Sequence, residues 1–146
     1  MPRYISPDTI AARVYTLLNT SATKPTGLTV LDHDLLPVEP ADLPVCGVYL
    51  VDDKLGSVVD PMTNERTRTA TVRVEIRVVG AMLSTKTIRE WAITAILTDA
   101  TLASEILGVE FQGFQPFGSA SDQRFAGADL DFNITYCFNL PGGLYA

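Results

Sequence analysis

A chain of 146 residues, 47% hydrophobic and 19% charged, is long enough for one domain to bury roughly two-thirds of its unfolded surface, and lacks the charge density that prevents collapse. Its net charge of −6 and pI near 4.6 argue against gripping nucleic acid, which requires clustered Lys and Arg to neutralise phosphate. No apolar run reaches the roughly 20 residues that cross a bilayer, and Met1-Pro2-Arg3-Tyr4 leads into a helix pattern rather than a signal peptide, so a soluble protein made in the cytoplasm is expected.

Ser6-Pro7-Asp8-Thr9 opens the first element as a helix start: a hydroxyl cap, a proline where its missing amide hydrogen costs nothing, and an acid at the positive end. Ile10, Val14, Leu17 and Leu18 form its apolar stripe, and Asn19-Thr20-Ser21 closes it. After the turn at Lys24-Pro25-Thr26-Gly27, Leu28 to Leu31 reads as a short strand. Pro37, Pro40 and Pro44 make the stretch from His33 to Pro44 an extended surface connection. Val45 to Val51 is nearly all apolar, as a strand covered on both faces would be.

From Asp52 to Thr67 the chain is mostly polar and carries Gly56, Pro61 and Asn64, the composition of a long hairpin tip, so the strands before and after it are expected to pair antiparallel. In the strand that follows, from Thr71 to Val79, Val72, Val74, Ile76 and Val78 alternate with Arg73, Glu75 and Arg77, the period-two pattern of a half-buried strand. Gly80 to Leu83 ends it, and Ser84 or Thr85 caps a second helix whose Ile88, Trp91, Ala92, Ala95 and Ile96 share one side. Asp99 to Leu102 loosens that helix, Ala103 to Leu107 suits a further short turn, and Val109 to Phe114 reads as a strand. Gln115 to Gly127, rich in Gly, Ser and Ala, reads as a second long tip. Asp129 to Tyr136 then alternates Leu130, Phe132, Ile134 and Tyr136 with Asp129, Asp131, Asn133 and Thr135, and Pro141-Gly142-Gly143 stops it before a loose end at Leu144 to Ala146. A one-residue slip would bury the carboxylates, so register is firmly set. These elements predict an α+β fold, a single domain over residues 1–146 with a mainly antiparallel sheet and two helices packed on one face.

Chemistry leaves few marks. The sole histidine, His33, lies between Asp32 and Asp34, but on an extended backbone it points away from both. Cys46 and Cys137 fall in strand-like segments without ligand partners, so neither a disulfide framework nor a zinc site is expected. Asp129 and Asp131 share a strand face, where pairing with Arg73 or Arg77 on an adjacent strand is the simplest role. No nucleophile elbow, phosphate loop or dinucleotide fingerprint is present, so neither an enzyme nor a cofactor is expected.

The alternating strand Thr71 to Val79, the helix with Ile88 and Trp91, the phrase Leu97-Thr98-Asp99-Ala100-Thr101-Leu102, the closing strand Asp129 to Tyr136, and Leu43-Pro44-Val45 ahead of a strand together resemble the tail terminator, or tail completion, proteins of long-tailed bacteriophages. That resemblance implies a structural subunit of the virion tail, assembled in the host cytoplasm. Such subunits form a homohexameric ring on the tail tube, halt tube growth and present the surface that joins the head, so the implied partners are further copies of the chain, the tube protein and a head-completion or neck protein. Contacts are then expected from the polar strand faces at Arg73, Glu75, Arg77, Asp129 and Asp131, and from the tips at Asp52 to Thr67 and Gln115 to Gly127, with Asp52, Asp53, Arg66 and Arg68 as the candidates in and beside the first. Another neck or tail-tube subunit, or a small ligand-binding domain or enzyme built on His33, are the alternative readings.

Overall fold

A computed structural model of the protein describes residues 6–35, 43–60, 65–80, 85–117 and 125–138. Helix α1, Pro7–Asn19, starts at Ser6, whose hydroxyl accepts the Thr9 amide hydrogen at 3.1 Å, and it buries Ile10, Val14 and Leu18. Strand β1, Thr29–Leu31, lies parallel to the start of β2, Val45–Asp60. β2 runs antiparallel to β3, Glu65–Val79. After α2, Lys86–Thr98, and the short α3, Ala100–Glu105, strand β4, Gly108–Phe117, pairs antiparallel with β5, Phe125–Phe138. β5 inserts beside β3, so the sheet order is β1-β2-β3-β5-β4. All pairings except β1 with β2 are antiparallel, and the α+β architecture is the one the hydrophobic patterns predict.

One face of this sheet carries the core. Cys46 and Val48 of β2, Val72, Val74 and Ile76 of β3, and Leu130, Phe132 and Ile134 of β5 are all buried, packed with Ile10, Val14 and Leu18 from α1 and Ile88, Trp91, Ala92 and Ile96 from α2. The indole nitrogen of Trp91 donates to the Ser21 hydroxyl at 3.2 Å, tying α2 to the end of α1. The Arg89 guanidinium lies 4.2 Å over the Phe114 ring, tying α2 to β4. Asp99 both ends α2 and caps α3, accepting the Leu102 amide hydrogen at 2.8 Å. Thr85 occupies the start of α2 without a capping hydrogen bond, and its hydroxyl accepts from Arg89 instead.

The two long loops expected at Asp52 to Thr67 and Gln115 to Gly127 are mostly strand. β2 continues to Asp60, β3 begins at Glu65, β4 continues to Phe117 and β5 begins at Phe125. Residues 61–64 and 118–124 lie outside the described residues, as do Pro37 and Pro40, Ser84, and the end from Pro141 to Ala146. The registers place the strand ends leading to the two turns at opposite ends of the sheet. Arg66 stands opposite Phe138 at one end of β3, and Val79 stands opposite Phe125 at the other. From Arg66 to Val79 along β3 these ends are roughly 43 Å apart.

A bulge divides β2 into two parts. Cys46, Val48 and Leu50 stand opposite Ile76, Val74 and Val72, but Asp52 then pairs with Thr71 and Asp53 with Ala70, leaving Val51 as the extra residue. Side-chain parity therefore changes at Val51, and Asp53 rather than Asp52 turns toward the helix side.

Candidate functional site

The side chains singled out for contacts fall into two clusters on opposite faces of the sheet. On the face away from the helices, the cross-strand register sets Arg73 beside Asp131 and Glu75 beside Asp129. The Arg73 fork binds both carboxylate oxygens of Asp131, at 2.8 and 3.1 Å, the bidentate geometry that a planar guanidinium favours. Arg77 bridges Asp129 and Glu75, each at 2.9 Å. Its stem has room because Gly127 lies beneath it; a Cβ there would meet the Ile76 carbonyl oxygen at 2.7 Å and the Arg77 side chain at 2.8 Å. Thr71 extends the ladder by donating to Asn133 at 2.9 Å.

Hydrogen bonding to Asp131 raises Arg73 above the ordinary guanidinium range, against the opposing effect of burial. Tyr49 stands opposite Arg73 on β2, and burial together with hydrogen bonding to Glu75 pushes its phenol up to about 12. Glu75 is itself only 6% exposed although it sits on the polar face. Around the start of β2 that face is not bare: the His33 carbonyl and the Leu35 side chain close over Gly47, where a Cβ would sit 2.5 and 2.9 Å from them. The pairing of Asp129 and Asp131 with arginines of β3 is the structural role that their shared face suggested.

The second cluster lies on the helix side, past the bulge. Asp53 accepts from the Arg68 guanidinium through one oxygen and from the Tyr136 hydroxyl, at 2.8 Å, through the other. Tyr136 is fully buried. Burial and then the Asp53 hydrogen bond raise its phenol well above the usual range. Burial opposes the charge on Arg68, and attraction to Asp53 outweighs it. Arg66 follows on the same strand, opposite Val58 and Phe138. Asp52 is left on the outer side, 3.9 Å from Lys54 and largely solvated.

Pattern reading missed the tyrosines of both clusters. Tyr49 falls in an apolar run and Tyr136 in an alternating strand, and neither carried a signal beyond its strand position; only the folded chain brings one to Glu75 and the other to Asp53. His33 is exposed, and its Nδ1 lies 2.8 Å from the neighbouring Asp34 carbonyl oxygen. Cys46 is a buried thiol pushed up to about 12 by burial and by Glu75, and Cys137 is half-buried. Among the described residues no group of three or more His, Cys, Asp or Glu is placed to hold a metal ion, and no helix is long and apolar enough to cross a membrane.

The sheet's lateral edges are a third feature. Among the described residues β1 pairs with β2 only from Val45 to Gly47, so β2 is unpaired on its outer side from Val48 onward. Among the described residues no strand pairs with the outer side of β4 either. Exposed apolar side chains occur along both: Val51 and Leu55 on β2, Leu107 and Phe114 at β4. Open edges of this kind are templates for another strand. Among the described residues, a groove of about 800 Å³ between α1 and α2 is lined by Trp91, Ser21, Thr94 and Thr98.

No family model matches the chain, and no curated protein sequence matches it. Among solved structures, the chain is similar to one from the virion of a native gene transfer agent particle, with 15% identity and a TM-score of 0.47 over 85% of this chain and 91% of that one.

Proposed function

We propose that this protein is a structural subunit of a phage-like particle, a tail-terminator-like protein whose residues 1–146 act as one domain. It assembles as a homohexameric ring on the end of the tail tube, stops tube growth and offers the opposite rim to a head-completion or neck protein. The observation that carries this reading is the sheet with, among the described residues, an unpaired edge on each side, β2 beyond Gly47 and β4. Two different edges on one subunit make a heterologous contact, and a heterologous contact whose rotation closes generates a ring. The strand ends that reach opposite ends of the sheet supply two separate rims for two different partners. The net charge of −6 suits a ring through which DNA passes without adhering.

In this reading the ion pairs among Arg73, Glu75, Arg77, Asp129 and Asp131 lock β3 to β5 on the polar face, and the stretch at Asp52, Asp53, Arg66 and Arg68 reaches the partner at one rim. The test is mass in solution across concentrations, negative-stain imaging and binding to purified tail tubes. Six-fold rings that cap tube ends are the expected result. A strict monomer at every concentration that ignores tubes overturns the proposal, and open-ended filaments would identify a tube subunit instead.

A further inference from the structure

Residue correspondences across the sheet fix the height of each free edge. Val48 stands level with Val74, Leu130 and Phe114, and Lys54 stands level with Thr69, Thr135 and Gly108. The open stretch of β2 from Val48 to Lys54 therefore lies at the same height as Phe114 to Gly108 of β4, on the opposite side of the molecule. Strand direction also matches. Three antiparallel steps separate β2 from β4, so the two run in opposite directions. In copies related by rotation about an axis along the strands, β4 of one meets β2 of the next as an antiparallel pair.

We infer that a second copy of this chain occupies each edge, with β4 of one subunit adding to β2 of its neighbour at the stretch from Gly108 to Phe111. This rests on the ring proposed above and names its seam. Beyond Phe111 the β4 edge is blunted by the register shift at Gly113 and by Pro116, two devices that prevent strand addition. Charge selects the register. At equal height Asp52 of one copy would face Glu110 of the next, because both stand level with Thr71 and Asn133. Like charges directly opposite on a sheet repel. A stagger of two residues sets Lys54 beside Glu110 instead, and stagger is what closing a sheet on itself requires. Lys54 is 77% exposed and, among the described residues, pairs with the Asp52 carboxylate at 3.9 Å, and Glu110 is exposed. The same register lays Leu55, 56% exposed, beside Val109 and toward Leu107, 59% exposed, on the helix side of the seam.

The test is charge reversal, read by sedimentation of the full chain. Lys54→Glu and Glu110→Lys should each raise the concentration for half-assembly about tenfold, and the double variant K54E/E110K should restore it. Both side chains are exposed, so each variant should keep the thermal midpoint of the starting protein when both are melted at concentrations too low for assembly, which separates a lost seam from a lost fold. Rings that form equally well in both single variants, or folded single variants that the double swap fails to rescue, overturn the seam and leave the ring intact. A monomeric starting protein overturns both. Filaments that respond to the swap keep the seam and reject the terminator reading.

Discussion

Replacing Asp53 with Ala tests the buried hydrogen-bonded pair that the β2 bulge creates. The Tyr136 hydroxyl, fully buried, would lose its acceptor, a cost of about 1–3 kcal/mol for a buried donor left unsatisfied. The Arg68 side chain is 25% exposed, so water can partly re-solvate it, and the lost ion pair adds about 1 kcal/mol rather than the ~3–5 of a fully buried charge. The sum is about 2–4 kcal/mol, or roughly 6–12 °C in thermal midpoint for a domain of this size. Urea unfolding at one fixed protein concentration, followed by fluorescence of the single tryptophan, Trp91, measures it, since that indole is buried in the core. The second arm is Tyr136→Phe in the Asp53→Ala background. Removing both partners should recover about 1 kcal/mol relative to Asp53→Ala alone, because the unsatisfied hydroxyl is then gone. A loss below about 0.5 kcal/mol for Asp53→Ala, or no recovery in the double variant, would refute the account.

Gly127→Ala forces a Cβ against the Ile76 carbonyl and the Arg77 side chain, so it should cost about 1–3 kcal/mol in a urea titration and release Arg77 from Asp129. Phe132→Ala removes a fully buried ring packed 5.2 Å from Phe111 and should cost about 3–5 kcal/mol, read as an earlier unfolding midpoint. Alkaline stability should fall with pH. Tyr49 and Tyr136 titrate higher in the folded chain than when unfolded, so the unfolded state binds fewer protons above about pH 10 and stability declines from there through about 12, the folded value of Tyr49. Phenolate absorbance during the titration follows the event, and Tyr49→Phe should make the decline shallower.

The core was legible because burial leaves a periodic imprint. Val72, Val74, Ile76 and Val78, with Leu130, Phe132, Ile134 and Tyr136, alternate as written and are all buried. The amphipathic stripes of α1 and α2 were equally plain, as was the pairing of Arg73 and Arg77 with the aspartates once β3 and β5 proved adjacent. What composition concealed was the length of the strands. Asp52 to Asp60 carries the Asp, Gly and Ser of a turn, yet strand pairing continues through it to Asp60 and resumes at Glu65, because the backbone ladder with the neighbouring strand holds the chain extended. The parity change at Val51 was equally hidden. An unbroken ladder would have put Asp52 and Lys54 on the helix side, with Lys54 beside Arg68; nothing in the local sequence announces the extra residue, and the Asp53 cluster could be seen only in three dimensions.

The opposite placement of the two hairpins has a mechanical consequence. Tension applied between them would enter through β2 and β3 at one end and leave through β4 and β5 at the other, crossing from β3 to β5 along the whole ladder from Arg66–Phe138 to Val79–Phe125. Force along that path strains the rungs in shear, so they must yield together instead of unzipping one by one. A subunit wired in this way resists being pulled apart lengthwise far better than its modest size suggests.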